Sequence, residues 1–497
     1  MKKTLLSAAA LLMALTACNK EPVGGSAVDN GSVYMQFSVN MLSTRSQTDD
    51  KGDSNSNANP DTEVGLNKEN TISTVDIALV GPNTVVAANV TPTAANASTY
   101  VAKFDTKALV ANTTYKVYIY ANCSAPAAVD VDAVSEASVE AMTADNKFWM
   151  TNAYAAAEVE LPENLAAYTQ PNTPLSLGSH TVERSMARFD YKAKNAGNVY
   201  EMGAGLSLTL TEAALINQSK AHYVFRRVAD NNTAIPVVGG TETPSNWVVD
   251  TDWESKTKAG FDAQLEAPAK WNWTSLSSLS TDDNYADDYK IWCYAKENTL
   301  PTIDDQKHNV STGVVFKAEI TAGKDASAEV KAALASGKRI YVFNNKLYGT
   351  WADVKTAAEA GDDANLQAAY NQAAASVTGE ATEPTAVAAA AAGFTGYSAD
   401  GGKYYTYYYY WNRHNDNLDP YKMGIMEFAV VRNNVYKLCV DSISKFGHPT
   451  PPTDPTHPTD PDPDPVKPDD PDESVNYYFT VTVKVLPWTV RINNIEF

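Results

Sequence analysis

Cys18 and Arg45 are the residues near the start of the chain whose surroundings favour covalent processing. Two lysines precede an apolar run, residues 5–15, and a Leu-Thr-Ala-Cys sequence then ends at Cys18. This order is typical of a secretory signal, and the run is too short to cross a bilayer. Two interpretations remain: an ordinary signal peptide with a cysteine nearby, or a lipobox that is cleaved before Cys18, whose thiol then carries lipid. We favour the lipobox, which predicts export and anchoring through acyl chains.

Arg45 lies in a segment that a protease could reach. Residues 43–70 consist mostly of Ser, Thr, Asp, Asn and Gly, with scarcely any large apolar side chain. A segment of this composition cannot bury apolar surface, so we expect a loop without fixed structure. A trypsin-like protease could cut the chain there, after Arg45.

The sequence offers little for enzymatic or metal chemistry. Its six histidines show no HExxH pattern, and it contains no Gly-x-Ser-x-Gly, P-loop or GxGxxG. Without a CxxC pair, Cys123, Cys293 and Cys439 permit one disulfide with one thiol left over, or serve as small buried hydrophobes. We therefore predict no enzyme activity, no cofactor and no metal. The net charge of -20 argues against a nucleic-acid partner, because phosphate binding needs a basic surface.

Two stretches at opposite ends of the chain alternate strictly between apolar and polar residues, as half-buried β-strands do. The apolar positions near the start are Val33, Met35, Phe37, Val39 and Met41. Those near the end are Phe479, Val481, Val483 and Val485. A β-sandwich that lacks an edge strand offers unpaired backbone groups to an added strand. Our hypothesis is that the first strand fills such a groove until cleavage after Arg45 removes it, and that the last strand of another copy then replaces it.

The segments between these ends predict a mainly β protein. Short strands separated by turns favour antiparallel β-sandwiches over βαβ units. Residues 182–190 are predicted to form one strand, and residues 404–411 with 423–444 a β-meander. Residues 325–336 and 351–375 are rich in alanine and lack proline, which predicts short helices.

We predict the following division of the chain. It comprises a signal peptide (1–17), a tether (18–32), an N-terminal β-sandwich domain (33–195, with a removable strand at 33–45), a C-terminal β-sandwich domain (196–448), a Pro/Asp spacer (449–474) and a donor-strand region (475–497). Proline removes ladder donors, so the spacer should be extended. At about 3.1 Å per residue, the 24 residues 449–472 could reach roughly 75 Å.

Four tryptophans cluster in a loop-rich part of the second half: Trp247, Trp253, Trp271 and Trp273. Stacked aromatic rings can bind sugars, so a glycan platform is one interpretation. Anchoring of irregular loops to the core is the better one.

Several segments together resemble the type V fimbrial subunits of Bacteroidetes, and most closely the shaft subunit of the short, Mfa-type fimbrium. Beside the lipobox and the Arg45 loop, they are residues 182–188 (VERSMAR), 292–299 (WCYAKENT), 309–319 (NVSTGVVFKAE), 410–415 (YWNRHN), 424–441 and 485–488 (VLPW). The resemblance implies two transthyretin-like β-sandwich domains, export as a lipoprotein, trimming after an arginine and polymerisation by strand exchange. Arg45 matches the cleavage position by its place in the chain. The terminal donor strand favours a shaft role over a tip role.

The function expected from these features is that of a structural subunit of a cell-surface fimbria, or pilus, that serves adhesion. Its partners would be further copies of itself, anchor and tip subunits, a processing protease, and the outer membrane through lipid on Cys18 before processing. Its location would be the outer membrane and the cell surface, reached through the periplasm. The alternative is a monomeric surface lipoprotein that binds glycans through the tryptophan-rich region.

Overall fold

The computed structural model describes residues 31–41, 65–94, 97–230, 237–238, 246–255, 257–267, 270–279, 288–299, 310–414, 426–450 and 479–487. The predicted signal peptide with Cys18, the loop with Arg45 and most of the Pro/Asp spacer lie outside these residues. Strands dominate the described part, which confirms the prediction of a mainly β protein. Within it, no helix has the length and apolar character needed to span a membrane.

The elements are numbered along the chain. The strands of the first half are β1 (Ser32–Met41), β2 (Val75–Val80), β3 (Thr84–Val90), β4 (Thr99–Asp105), β5 (Thr113–Ala121), β6 (Val134–Ser135), β7 (Met150–Asn152), β8 (Ala157–Leu161), β9 (Leu175–Arg184), β10 (Ala187–Ala193), β11 (Val199–Gly203) and β12 (Leu206–Ile216). Those of the second half are β13 (His222–Tyr223), β14 (Arg227–Asp230), β15 (Val237–Val238), β16 (Asn246–Val249), β17 (Thr274–Ser275), β18 (Lys290–Ala295), β19 (Gly313–Ala322), β20 (Ile340–Phe343), β21 (Lys346–Tyr348), β22 (Thr395–Tyr397), β23 (Tyr404–Trp411), β24 (Asn434–Ile443) and β25 (Phe479–Pro487). The α-helices are α1 (Asn67–Asn70), α2 (Val139–Met142), α3 (Lys258–Gln264), α4 (Ala328–Ala335), α5 (Trp351–Glu359), α6 (Ala364–Ala374) and α7 (Ala386–Ala391), and short 3-10 turns lie at Thr106–Ala108, Leu165–Tyr168 and Ala196–Asn198.

The first sheet curls around one apolar core. Its strand order is β3-β2-β5-β7-β9-β1-β4, with β8 also paired to β5. The two end strands come together again, since Pro92 bridges to Tyr100 and the Thr93 N–H donates to the Thr99 carbonyl at 2.9 Å. Inward-facing residues of every second position, among them Ile77 and Ile119, fill the space inside.

Two further sheets form a sandwich around a second core. One has the order β18-β10-β24-β25, and the other β11-β12-β19-β23 with β17 beside β12. Their facing sides bury Phe189, Leu208, Phe316 and Leu438 in one cluster. The burial of alternate residues from both sheets is the packing of a β-sandwich.

A small unit is inserted between β19 and β23, although these two strands pair directly with each other. It consists of the sheet β21-β20-β22 and the helices α5, α6 and α7, and its own core includes Trp351 and Phe394. The side chains of Thr350, Asp363 and Thr385 accept hydrogen bonds from the first turns of these helices and so fix where they begin. The predicted helices at 325–336 and 351–375 correspond to α4, α5 and α6.

Two strand predictions are corrected by the sheet topology. Residues 182–190 form two strands, because the chain leaves the first sheet after Arg184 and enters the second at Ala187. The β-meander is wrong: β23 pairs with β19, whereas β24 pairs with β10 and β25 in another sheet. The division into domains near residue 195 stays a prediction, and the change of sheet itself precedes β10.

Candidate functional site

β1 lies in the interior of the first sheet, between β9 and β4. It runs parallel to β9 over Met35–Met41 and antiparallel to β4 over Ser32–Ser38. The expected place at a sheet edge is therefore wrong. Without β1, both β4 and β9 would present unpaired N–H and C=O groups to the same gap. We call the space that β1 occupies between these two strands the β1 slot.

The inner face of β1 belongs to the first core. Val33, Met35, Phe37 and Val39 are 0%, 0%, 1% and 3% exposed, and Met41 is half-buried at the end of the strand. Burial of a large apolar side chain contributes roughly 1.5–3 kcal/mol, so the four together contribute roughly 6–12 kcal/mol before ordering costs. β1 is therefore held by side-chain packing as well as by two hydrogen-bonded ladders.

The most distinctive point of the β1 slot is the position of Phe37. Its ring stacks on Tyr100 with a centroid distance of 5.4 Å and meets the edge of His180 at 6.4 Å. The parallel ladder shifts here, because Gln36 pairs with Ser176 whereas Phe37 pairs with Gly178. Gly178 has a φ of +86°, a conformation that favours glycine. The wall formed by β9 is thus irregular at the level of Phe37.

On the other face of β1, exposed and half-exposed polar residues meet both neighbouring strands. Asn40 donates to the Ser179 hydroxyl at 2.7 Å. Ser38 lies opposite Thr99, and the Val39 N–H donates to the Ser98 carbonyl at 2.8 Å. This pattern makes Ser38 and Thr99 a non-hydrogen-bonded antiparallel pair, whose Cα atoms are typically about 4.5 Å apart.

His180 places an ionisable group beside β1. It is 4% exposed, it lies opposite Val39, and its Nε2 has no hydrogen-bond partner among the residues that the structure describes. Burial lowers the pKa of His180 below its ordinary value, and a hydrogen bond with the backbone of Leu177 opposes this only in part. The ring is therefore favoured in its neutral form while β1 covers it.

Acid is expected to weaken the binding of β1 through His180. Because the pKa is lowered in the folded state, this stability is fully present above pH 6.5 and is lost as the pH falls below it, by at most about 1.4 kcal/mol per pH unit. The measurement is the release rate of the β1 peptide from the cleaved chain at pH 7.5 and pH 5.0. His180→Gln should reduce the ratio of the two rates; an unchanged ratio contradicts the prediction.

The chain that follows the Arg45 loop is anchored by a buried ion network. The Arg188 guanidinium pairs with Glu69 at 2.9 Å and with Asp190 at 2.9 Å, and all three side chains are fully buried. The Tyr294 hydroxyl donates to Glu69 at 2.7 Å, and Arg184 donates to the Glu69 carbonyl at 3.2 Å. Glu69 on α1 is thereby tied to β9, β10 and β18. The expectation of a loop without fixed structure over 43–70 is therefore wrong for its last residues, and this anchor of α1 does not depend on residues 1–45.

β25 lies at the edge of the second sheet. It pairs antiparallel with β24, from Phe479 opposite Ile443 to Pro487 opposite Asn434, and no other strand in the described part of the chain pairs with it. Val481 and Val483 lie opposite Val440 and Leu438, which are fully buried in the second core. Although the paired residues Ile443 and Phe479 are neighbours, the 35 residues 444–478 separate them in the sequence. An antiparallel pair can be joined by two residues.

The other residues singled out in the sequence have mainly structural surroundings. Cys123, Cys293 and Cys439 are free thiols, and burial raises the pKa of Cys123 to about 12 and of Cys439 to about 11. Trp271 and Trp273 pack against tyrosines of β23, and Trp273 meets Tyr407 at 6.1 Å. This supports the anchoring interpretation for these two tryptophans; glycan binding stays a prediction.

Sequence reasoning missed His180, Tyr100 and the Glu69–Arg188 pair. A signal was present in one case, since charged residues in 182–190 interrupt a strand-like apolar pattern that would otherwise be unbroken. Lone charged residues elsewhere carry no such signal, because their partners are distant in sequence.

Comparison with known proteins links the C-terminal part of the chain to one family. Residues 403–494 match the model described as major fimbrial subunit protein type IV, fimbrillin, C-terminal. This range includes β23, β24 and β25. No curated protein matches the chain.

Solved structures of fimbrial proteins resemble the chain at low identity. A fimbrilin, FimA, from Porphyromonas gingivalis is 12% identical, with 93% of this chain and 98% of that chain covered and a TM-score of 0.34. The tip fimbrial protein Mfa3 of Porphyromonas gingivalis, with a C-terminal truncation, is 9% identical over 83% and 95%, with a TM-score of 0.34. A fimbrial assembly protein from Parabacteroides distasonis is 12% identical over 59% and 98%, with a TM-score of 0.24. From residue 403 to residue 494, the chain is thus similar to the C-terminal region of the major fimbrial subunit family, fimbrillin.

Proposed function

We propose that this chain is a structural subunit of a cell-surface fimbria that serves adhesion. It is exported as a lipoprotein through Cys18, loses β1 by cleavage after Arg45, and polymerises when β25 of another copy enters the β1 slot. Its partners are further copies of itself, other fimbrial subunits, the processing protease and, before processing, the outer membrane.

The placement of β1 carries this proposal. β1 is an interior strand, yet only residues 42–64 connect it to the rest of the described fold. A single cut in that segment turns β1 from a tethered strand into a separate peptide. The effective concentration that tethering supplies is then lost, so a peptide that leaves the slot is diluted and does not return.

The connection before β25 supports transfer to a neighbour. Residues 444–478 are far more than an antiparallel turn needs, and their proline-rich composition predicts an extended spacer. In the monomer β25 has a ladder on one side, whereas in the β1 slot a strand has one on each side. The β1 slot and β25 are different surfaces, so every assembly keeps one empty β1 slot at one end and one unused β25 at the other. The same contact can therefore repeat, which produces a filament.

Cleavage after Arg45 is expected to trigger polymerisation. The wild-type chain treated with an Arg-specific protease should form ladders on a native gel, and Arg45→Ala should remain monomeric because β1 stays tethered. Arg45→Lys is the matched control: it should resist the Arg-specific protease but polymerise after trypsin. Polymers of intact Arg45→Ala, or a wild-type chain that stays monomeric after complete cleavage and loss of the β1 peptide, would contradict the proposal.

A further inference from the structure

The C-terminal segment repeats the sequence of β1 more closely than alternation alone requires. With Phe479 placed on Phe37, Val475 falls on Val33 and Val481 on Val39. The two remaining inner positions change type but stay apolar or aromatic: Met35 becomes Tyr477 and Met41 becomes Val483. Between them, Ser38 becomes Thr480, again a small hydroxyl residue.

Two features of the β1 slot single out the position of Phe37. One is the pair of rings around it: Tyr100 stacks on the ring at this position, and His180 makes an edge contact with it. The other is the irregularity in the ladder with β9. The pairing register shifts only between Gln36 and Phe37, where Phe37 pairs with Gly178. A slip by two residues would either place Val481 at this position or place Tyr477 there and Phe479 at the smaller, buried position of Val39.

The reversed direction fits less well. With Phe479 kept at the position of Phe37, a reversed strand would bring Tyr477 to the position of Val39. Val39 is 3% exposed and lies opposite His180, so a tyrosine there would overfill the core. In the direction of β1, Tyr477 instead replaces Met35, which is also fully buried but is a larger residue than Val39. Val33, Phe37 and Val39 are then replaced by identical residues.

We propose that residues 475–483 of a second copy occupy the β1 slot in the direction of β1, with Phe479 at the position of Phe37. This rests on the proposed strand exchange and adds its register and direction. The donor strand then begins four residues before β25 and ends at Val483. Val485, which the alternation pattern includes in the donor strand, lies beyond the end of the slot.

Disulfide trapping tests the register. In the proposed arrangement Thr480 replaces Ser38 opposite Thr99, a pair that suits a disulfide. The full chain with Thr99→Cys and Thr480→Cys, cleaved after Arg45 and mildly oxidised, should give a covalent ladder on a denaturing gel. Thr99→Cys with Thr482→Cys reports a slip by two residues in one direction. Thr99→Cys with Tyr478→Cys reports either the opposite slip or the reversed direction of the strand. Each pair should give at most about one tenth of the ladder. Each single cysteine variant sets the background.

The outcomes distinguish a wrong register or direction of the donor strand from the absence of strand exchange. A ladder from the Thr482 or Tyr478 pair that exceeds the Thr480 ladder overturns the register while strand exchange stands. Cleaved chains that form no polymers at all, including wild type, overturn the proposed function itself.

A second measurement does not depend on cysteines. Phe479→Ala should raise the subunit concentration needed for polymers by about 100-fold, because a buried aromatic side chain is lost from the slot. Val485→Ala should change it by less than about threefold. Equal effects of the two substitutions overturn the register.

Discussion

Chains that carry Ser38→Cys together with Thr99→Cys are expected to stay monomeric after cleavage at Arg45 and to polymerise when reductant is added. The disulfide would join β1 to β4 covalently, so the cut would no longer release β1. The two positions form a non-hydrogen-bonded pair, with Cα atoms about 4.5 Å apart, which lies within the range of natural disulfides. Native gels before and after reduction measure the effect, and the loss of polymer should be essentially complete.

Each single cysteine variant is the matched control and should polymerise without reductant. The native thiols compete little for oxidation, because burial raises the pKa values of Cys123, Cys293 and Cys439 and keeps them protonated. Polymerisation of the oxidised double variant, with its disulfide confirmed by mass, would show that β1 need not leave and would refute the exchange.

Arg188→Ala is expected to lower the free energy of unfolding by about 3–5 kcal/mol. The substitution leaves the carboxylates of Glu69 and Asp190 buried without their guanidinium partner, and uncompensated buried charge is costly. Urea unfolding of the uncleaved chain, followed by tyrosine and tryptophan fluorescence, measures the change. The protein should also lose its fixed start at α1, so proteases should cut after Lys68 more readily.

Lys355→Ala is the control for Arg188→Ala. Lys355 pairs with Glu359 at 3.8 Å on the exposed face of α5, where an ion pair contributes at most about 0.5 kcal/mol. A similar loss of stability in both variants would mean that the buried network does not anchor the fold.

Local patterns predicted β1 and β25 because alternation of side chains is a property of the strand itself. The alternation over Val33–Val39 indicates that one face of the strand is buried, but it does not indicate which strands lie beside β1. The interior position of β1 follows from pairing with β9, more than 130 residues later, and no local pattern encodes such a partner.

The same limit explains the two corrected predictions. Residues 182–190 were predicted as one strand, yet the chain changes sheets between Ser185 and Met186. The Ser185 N–H still donates to the Trp149 carbonyl beside β7, whereas the Met186 carbonyl already accepts from the Asn433 N–H beside β24. The helices α5 and α6 were predictable from alanine content and capping residues. Their shared core with β20 and β22 was not, since it depends on contacts across the whole insert.

The position of β1 between two strands has a mechanical consequence for a fibre assembled as proposed. A strand in that position is hydrogen-bonded to a neighbour on each side, and tension in the fibre pulls it along its own axis. The hydrogen bonds on both sides of the strand then bear the load together. In a strand that is paired on one side only, they can break one after another from one end. Because its proline-rich part is predicted to be extended already, the connection should pass this tension to the junction with little further lengthening.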